Sequence, residues 1–310
     1  MQFINDLDDI SKPFKNAVIT IGNFDGVHIG HQVLLGRAVE KAGAMDGLSL
    51  AMTFEPHPAR VLGQNNHPPL ITLYEQKAEL IERSGIDVLI TIPFTREFVT
   101  ITAKQFVGDL LVGKIGIKAI VIGQDYTFGK NREGNAALLK FFSNSFGFEV
   151  IVIDWIPASD RIHGRISSTK IRELLMEGNV SEARKLLGRF YQIKGTVVSG
   201  QGRGGKVLGF QTANINLQDE LCPKTGIYAV TVECDDKKHE GVANIGYSPT
   251  FDDHIFTVEV HILDFNKNIY GQKIRVNFIQ RIRDEIKFSN IPALSKQIEK
   301  DVKEAHNILS

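Results

Sequence analysis

The chain has 310 residues, a length that suits two domains better than one. Lysine plus arginine number 36 and aspartate plus glutamate also number 36, so no overall field favours nucleic acid or membrane. No apolar run approaches the ~20 residues of a membrane-spanning helix, and the acidic segment 1–9 lacks the plan of a signal peptide. The two cysteines, Cys222 and Cys234, support neither a disulfide framework nor a zinc cluster. We expect a cytoplasmic protein with small-molecule substrates that binds neither nucleic acid nor membrane; a homo-oligomer stays open.

The first 187 residues predict an α/β domain. Apolar runs of strand length alternate with helical patterns; the predicted strands are 17–22, 48–54, 87–92, 119–122 and 148–153, and the predicted helices lie near 32–43, 75–84, 103–113 and 135–146. Near-continuous apolar strands separated by helices indicate a parallel sheet covered on both faces. Ligands of such sheets bind beyond the carboxyl ends of the strands, so the polar segments that follow the strands form the candidate site.

The segment 22–31 joins the first predicted strand to the first predicted helix and reads GNFDGVHIGH. A glycine-rich turn at a helix start directs backbone N–H groups and the positive end of the helix dipole toward an anion. His28 and His31 can point the same way and donate hydrogen bonds to phosphate oxygens, which gain negative charge during nucleotidyl transfer. The spacing alone leaves two alternatives open, a structural pair and half of a metal site.

A second polar segment, 166–172, reads ISSTKIR and begins a predicted helix over 168–177, which a helix over 180–187 follows. Its hydroxyls can cap the helix, but the cations Lys170 and Arg172 in the first turn oppose the helix dipole. A phosphate held by Ser168, Thr169 and Arg172 removes that conflict. The alternative is an ordinary N-cap with solvated charges. We place the domain boundary after Leu187.

The second half of the chain predicts a small antiparallel β-barrel or sandwich. Short runs with period-two alternation occur at 193–199, 227–232, 242–245, 256–263 and 274–279, and glycine, asparagine and aspartate turns separate them. The amphipathic pattern 294–308 predicts a C-terminal helix that packs on the barrel.

Residues 200–205 match the spacing G-x-G-x-x-G, which is typical of dinucleotide-binding folds. No amphipathic helix follows, and the surroundings predict antiparallel strands, so that fold does not fit. A loop whose backbone amides fold over ATP phosphates fits better, and a plain hairpin turn is the alternative. The residues of this predicted phosphate loop are Gly200, Gly202, Arg203, Gly204 and Gly205.

Thr212, Asn214 and Glu259 carry the chemistry predicted for the second half. Thr212 and Asn214 alternate along an extended segment, so a hydroxyl and an amide oxygen can face one site and bind Mg²⁺. Alternation along 256–263 puts Val258, Val260 and Ile262 on one face and Glu259 on the other. Glu259 is then either a solvated outer residue or a general base aimed into a cleft.

Taken together, these segments resemble the bacterial bifunctional riboflavin kinase/FMN adenylyltransferase (FAD synthetase) family. The resemblance covers nearly the whole chain in order. Its motifs are GNFDGVHIGHQ at 22–32, TFEPHP at 53–58, IGQDYTFG at 122–129, ISSTKIR at 166–172, LLGRFYQIKGTVVSGQGRG at 186–204, LGFQTANI at 208–215, GIYAV at 226–230, NIGYSPTF at 244–251, VEVHILDF at 258–265 and RIRDEIKF at 281–288.

The resemblance implies that the first domain is a Rossmann-like nucleotidyltransferase, which moves AMP from ATP to FMN and releases pyrophosphate. It implies that ATP is held by Gly22, Asn23, Phe24, Asp25, Gly26, His28, Gly30, His31, Ser167, Ser168, Thr169 and Arg172, of which His28, His31 and Arg172 act catalytically. It also implies that FMN is bound by Pro56, His57, Pro58, Asp125 and Phe128.

The resemblance further implies that the second domain is a β-barrel riboflavin kinase, which makes FMN from riboflavin and Mg²⁺·ATP. Thr212 and Asn214 would organise the metal and the nucleotide, and Glu259 would take the proton from the terminal ribityl hydroxyl. Arg283 would lie near the flavin. Phosphoryl transfer needs little covalent chemistry, so alignment, metal charge and one base suffice.

One residue departs from the family pattern, because Gln211 stands where the family motif Gly-Phe-Pro-Thr-Ala-Asn has proline. Proline fixes φ and restricts the residue before it, so glutamine loosens the segment that aims the metal ligands. We therefore expect a mildly lower kinase efficiency.

Three other functions compete with the bifunctional enzyme. They are a chain with one active module, a flavin-binding protein without turnover, and an adenylyltransferase for another small phosphate. Binding alone needs neither a phosphate clamp nor a base, and the chain retains His28, His31, Arg172, Asn214 and Glu259. An adenylyltransferase for another phosphate leaves the second half unexplained.

Overall fold

The structure is a computed structural model that describes residues 1–63, 67–154, 156, 164–198, 212–249 and 254–310. The chain forms two compact units, Met1–Ser168 and Thr169–Ser310.

The first unit alternates strands and helices, as predicted. Its strands are β1 (Gln2–Ile4), β2 (Ala17–Ile21), β3 (Ser49–Glu55), β4 (Val88–Pro93), β5 (Ile117–Gly123) and β6 (Glu149–Ile153). Its helices are α1 (Ile29–Ala44), α2 (Pro58–Leu62), α3 (Tyr74–Arg83), α4 (Ala103–Gln105), which continues as a π-helix over Phe106–Ile115, and α5 (Ala136–Phe146). Short 3-10 turns lie at Leu7–Asp9, Phe98–Thr100 and Lys130–Arg132.

Within the described ranges, the strands of the first unit pair in parallel in the order β1-β4-β3-β2-β5-β6. The predicted parallel sheet is therefore confirmed. β1 was not predicted, because a three-residue strand with one buried residue, Ile4, is too short to give a periodic pattern. The strand order reverses between β2 and β5, and such a switch point opens a crevice at the carboxyl ends of the strands.

Both faces of this sheet are covered by apolar side chains. Ile19 of β2 packs in one cluster with Leu111 of the π-helix. Its neighbour Val18 packs in a second cluster with Leu35 of α1 and Ile81 of α3. Because successive strand residues point to opposite faces, β2 is buried on both sides and lies at the centre of the core.

The second unit is a closed antiparallel barrel with helices. Its elements are α6 (Ser168–Met176), which begins at the last residue of the first unit, α7 (Val180–Leu187), β7 (Tyr191–Val198), β8 (Ala213–Asn216), β9 (Gly226–Cys234), β10 (Lys237–Pro249), β11 (His254–Ile262), β12 (Lys273–Arg283) and α8 (Ile291–Leu309). In the described part of the chain the barrel order is β10-β11-β8-β7-β12-β9, closed by the β9–β10 pair. The predicted barrel and terminal helix are confirmed.

The predicted helices of 168–187 are confirmed as α6 and α7, but they pack with the barrel. The N–H of Lys224 donates to the carbonyl of Leu175 in α6, and the side chain of Arg281 lies against Gly178 between the helices. The two compact units therefore divide at Ser168, and the predicted domain boundary after Leu187 stays a prediction.

The barrel wall has an apolar inner face, and its outer face carries both apolar and polar side chains. Val258 and Val260 of β11 and Ile245 of β10 are fully buried inside. On the outside, Ala305 of α8 packs on Ile227 of β9, so α8 covers the β9–β10 part of the wall. The outer face of β8 and β11 lies next to this covered part, and the predicted kinase residues lie there.

Two candidate active sites

The loop between β2 and α1 has an unusual backbone. Phe24, Gly26 and Val27 have φ values of +49°, +83° and +36°, in the left-handed region that L side chains rarely adopt. The side chains of Phe24 and Val27 are buried, which holds the loop in this shape. Strained backbone of this kind clusters at functional sites, and here it lies at the crevice of the sheet.

Asp25 holds this loop to a distant segment. Its carboxylate accepts hydrogen bonds from the N–H groups of Ile71 and Thr72 at 2.9 and 3.1 Å, and the Thr72 hydroxyl accepts from the N–H of Gly26 at 3.0 Å. The Ser168 hydroxyl donates to the carbonyl of Asp25 at 2.8 Å. The Asp25 carboxylate is therefore a positioning group for the loop, and its predicted contact with ATP stays a prediction.

His28 and His31 come together at the start of α1. His28 is the N-cap, and its Nδ1 accepts a hydrogen bond from the N–H of His31 at 3.3 Å. The two rings stack with centroids 3.6 Å apart. A Cβ on Gly30 would lie 3.1 Å from Cε1 of His28, so glycine at this position leaves room for the ring. Since Nδ1 of His28 accepts a hydrogen bond, its proton lies on Nε2, which can donate to an anion.

Lys77 is a buried cation beside this loop that the sequence analysis missed. Its ammonium lies 3.5 Å from the carbonyl of Asn23 and 3.8 Å from the carboxylate of Glu55. Burial lowers the pKa of Lys77, and the negative charges of Glu55 and Asp25 oppose that shift. Lys77 thus connects the loop after β2 with the end of β3. The amphipathic pattern of α3 gave no signal, because lysine on a helix is normally solvated.

The predicted flavin-binding residues lie after β3 and β5. His57 caps α2 through a hydrogen bond from the N–H of Ala59 to Nδ1 at 3.2 Å, with Pro56 and Pro58 on either side of it. Phe128 is buried and packs on Phe106 at a centroid distance of 5.7 Å. Asp125 is exposed and lies 3.5 Å from Arg165.

Phe128 belongs to a continuous row of aromatic rings. Neighbouring centroids along the row are 5.5 to 6.3 Å apart. Its members, in order of contact, are Phe94, Phe54, Phe98, Phe106, Phe128 and Tyr126. The row follows the ends of β3, β4 and β5, and its polarisable surface suits a flat aromatic ring system. Local sequence gave no sign of it, because its members come from separate segments.

The segment ISSTKIR divides between the two units. Ser168 contacts the loop between β2 and α1 through the carbonyl of Asp25, as described above. Ser167 precedes it, while Thr169 and Arg172 lie on the first turns of α6 in the second unit. The predicted phosphate clamp therefore stays a prediction for Ser167, Thr169 and Arg172.

In the barrel, three polar residues form one row across neighbouring strands. Asn214 of β8 is directly opposite Glu259 of β11, and Glu259 is directly opposite Asn244 of β10. Residues paired in this way share one face, with Cβ atoms about 5 Å apart. The row is on the outer face, because Val258 and Val260 on either side of Glu259 are buried inside.

Glu259 is half-buried, and its burial raises the pKa of the carboxyl group. Among the described residues, no cation contributes to this shift. A carboxylate without a neutralising partner is a better proton acceptor, which is the property that a general base needs. The alternative of a fully solvated outer carboxylate does not fit this burial.

Thr212 and Asn214 could hold a magnesium ion. Thr212 comes immediately before β8, and both residues are half-buried. Their hydroxyl and amide oxygens are hard ligands, and Mg²⁺ usually takes only one or two protein ligands and completes its shell with water and phosphate. Among the described residues, no group of three or more His, Cys, Asp or Glu side chains could hold a metal.

Arg283 is committed to another contact. Its Nε and Nη2 donate to the two carboxylate oxygens of Asp301 in α8 at 2.8 and 2.6 Å, and its Nη1 donates to the carbonyl of Asp284. Asp301 is 4% exposed, so this is a buried, bidentate ion pair. The geometry gives Arg283 an anchoring role for the segment after β12, and its predicted contact with the flavin stays a prediction.

The predicted phosphate loop lies outside the described residues. Gly200, Gly202, Arg203, Gly204 and Gly205 belong to it, and so does Gln211, the departure from the family motif.

Two family models match successive parts of the chain. The family model described as FAD synthetase matches residues 10–170, and the one described as riboflavin kinase matches residues 187–309. A bifunctional riboflavin kinase/FMN adenylyltransferase of Listeria monocytogenes is 40% identical over 290 residues, which cover 92% of this chain and 90% of that protein. A protein of the same name from Buchnera aphidicola is 38% identical over 305 residues, 97% of each chain.

A solved structure is also similar over the whole chain. It is described as a macrolide-efflux protein from Streptococcus pneumoniae, has a TM-score of 0.88 and 34% sequence identity, and covers 98% of both chains. In the described part of the present chain, no helix combines the length and the apolar character needed to cross a membrane.

The parallel sheet and the closed barrel, together with the two family models that match them, define a two-domain transferase. The chain belongs to the bifunctional riboflavin kinase/FMN adenylyltransferase family. It phosphorylates riboflavin to FMN with ATP and then transfers AMP from a second ATP to FMN, which gives FAD. The predicted function is confirmed.

Proposed function

We propose that adenylyl transfer takes place at the crevice of the first unit, where His28 and His31 donate hydrogen bonds to the phosphate oxygens. A phosphate oxygen of FMN attacks the α-phosphorus of ATP, and pyrophosphate leaves. The imidazole N–H groups and the backbone N–H groups at the start of α1 donate to the phosphate oxygens as they gain charge. This assignment is supported by the N-cap position of His28 and by the stacking of the two rings.

We propose that riboflavin phosphorylation takes place on the outer face of β8 and β11, with Glu259 as the general base. The carboxylate takes the proton of the terminal ribityl hydroxyl while the hydroxyl oxygen attacks the γ-phosphorus of ATP. The bond between the γ-phosphorus and the bridging oxygen breaks, and ADP leaves. The observation that carries this assignment is the cross-strand pair of Glu259 and Asn214, which puts a raised-pKa carboxyl beside a metal-ligand candidate.

Thr212 and Asn214 would hold Mg²⁺ in this site, and the ion would neutralise the charge of the ATP phosphates. The residues of the chain supply the alignment: the cross-strand pairing fixes the distance between Asn214 and Glu259, and the buried inner face of β11 keeps Glu259 outside.

The decisive experiment follows both reactions in one preparation. The protein is incubated with riboflavin, ATP and Mg²⁺, and riboflavin, FMN and FAD are separated by chromatography. Glu259→Gln should lower the rate of FMN formation by a factor of about 10²–10⁴ and leave the conversion of supplied FMN to FAD intact. Glu240→Gln is the matched control, because Glu240 lies on the outer face of β10 and contacts His306 at 3.0 Å. Normal FMN formation by Glu259→Gln would remove Glu259 from the mechanism.

The enzyme is further proposed to work in the cytoplasm on small molecules alone. The free thiols of Cys222 and Cys234 are in keeping with a reducing compartment. Cell fractionation with activity measurement tests this location.

A further inference from the structure

Asn244 carries a buried polar atom that the structure leaves without a partner. Its Oδ1 has less than 1 Å² of exposed surface, and among the described residues it has no hydrogen-bond partner. Asn244 is directly opposite Ile227 on one side and Glu259 on the other. It therefore stands where the apolar surface under α8 ends and the polar row begins.

A buried acceptor without a partner points to a hydrogen-bond donor on a bound ligand. A buried carbonyl oxygen without a hydrogen bond is unfavourable, and such atoms are rare in folded proteins. Asn244 as a residue is half-buried, and the terminal torsion of asparagine has a broad energy profile. Rotation of the amide about this torsion would turn Oδ1 toward the outer face that Asn244 shares with Glu259.

The substrate carries two hydroxyl groups that can reach both side chains. The ribityl chain of riboflavin ends in two hydroxyl groups on neighbouring carbons, whose oxygens are about 3 Å apart. The Cβ atoms of directly opposite residues are ~5 Å apart, so each of two such side chains can contact one of the hydroxyl groups. When the terminal hydroxyl donates to Glu259, the neighbouring hydroxyl lies within reach of the side chain that is directly opposite Glu259.

We propose that Asn244 determines substrate specificity in the kinase site by accepting a hydrogen bond from the ribityl hydroxyl next to the one that is phosphorylated. The proposal rests on the proposed role of Glu259. It makes the site selective for flavins whose side chain ends in a vicinal diol. A substrate that lacks this hydroxyl does not form this hydrogen bond and is therefore a poorer substrate.

The test compares two substrates on each protein variant. The substrates are riboflavin and 4′-deoxyriboflavin, which keeps the terminal hydroxyl and lacks the neighbouring one. The quantity measured is the ratio of kcat/KM for the two. The wild-type enzyme should prefer riboflavin about 10- to 100-fold, and Asn244→Leu should reduce this preference to within about threefold. Because the ratio is taken within one preparation, a partly unfolded variant does not change it.

Two further variants make the outcome specific. Asn244→Asp keeps an acceptor oxygen and should keep the preference, while its charge raises the pKa of Glu259 and moves the acidic limb of the kcat profile to higher pH. Asn216→Leu is the matched control: Asn216 lies two residues after Asn214 on the exposed side of β8, opposite Thr196, and should keep the wild-type ratio.

Three results would overturn the proposal. They are a wild-type enzyme that treats both flavins alike, an Asn244→Leu variant that keeps the preference, and an Asn244→Leu variant that loses activity on both flavins by the same factor. The last result would mean that Asn244 acts through Glu259 or through packing. Failure of the proposed base gives a different result, because Glu259→Gln would then keep the wild-type kcat on both substrates.

Discussion

The imidazole rings of His28 and His31 are stacked at a centroid distance of 3.6 Å with an interplanar angle of 14°. Phe24 meets the edge of the His31 ring at 5.3 Å and restricts its movement. These ring contacts hold the two imidazoles in one orientation, and their contact with phosphate stays a prediction.

We predict that His28→Ala and His31→Ala each slow FAD formation from FMN by about 10²–10³. Each variant loses a donor to the developing charge on the phosphate oxygens. FMN formation from riboflavin is measured in the same samples and should be unchanged. Equal loss of both reactions would show that the rings support the fold rather than the phosphates.

We predict that Asp25→Ala destabilises the first unit. The substitution leaves the buried N–H groups of Ile71 and Thr72 without the carboxylate, at a cost of about 1–3 kcal/mol for each group. FAD formation should fall, and thermal unfolding should show a lowered transition. Asp25→Asn keeps one acceptor oxygen and should lose less stability. If both variants unfold like the wild type, the anchoring role of Asp25 is wrong.

We predict that residues 169–310 fold alone and phosphorylate riboflavin without making FAD. This fragment keeps α6 and α7, whose apolar side chains pack on the barrel. The shorter fragment 188–310 exposes the surface under these helices and should be less stable and less soluble. Circular dichroism and FMN production compare the two. Equal stability would show that the helices add nothing to the barrel.

We predict that Glu259→Gln stabilises the barrel unit at neutral pH while it removes kinase activity. Burial raises the pKa of Glu259 above its ordinary value of 4.5, so the folded state holds the proton more tightly than the unfolded state. The favourable contribution of the protonated form is complete below pH 4.5 and disappears as the pH rises through the raised pKa. The melting temperature of the variant should therefore exceed that of the wild type at neutral pH and converge with it in acid. A lower melting temperature of the variant at neutral pH would contradict this prediction.

We predict that Arg283→Met and Asp301→Asn have similar effects, because both break one buried ion pair. Removal of one partner from such a pair typically costs about 3–5 kcal/mol. Both variants should lower the melting temperature and raise the KM for riboflavin, and the double variant should be no worse than either. A much larger increase in KM for Arg283→Met than for Asp301→Asn would support the predicted direct contact between Arg283 and the flavin.

Alternation along β11 was sufficient to place Glu259 outside the barrel, because period two is a local property of the strand. Asn244 was missed because only strand register makes it the neighbour of Glu259, and register depends on the whole barrel. The bond between the Asp25 carboxylate and backbone 46 residues further along the chain was missed because local sequence does not show it, and the predicted contact of Asp25 with ATP stays a prediction. Lys77 was missed for the same reason: its partners come from other segments, and helical periodicity says nothing about them.

The inward packing of Val258 and Val260 determines the register that β11 adopts when the barrel folds. If β11 slipped by one residue against its neighbours, the two valines would turn to the solvent and the Glu259 carboxylate would enter the dry interior. A charge buried there without a partner is too costly for the barrel to close. This register is therefore strongly favoured, and a correctly closed barrel keeps the Glu259 carboxylate on its outer face.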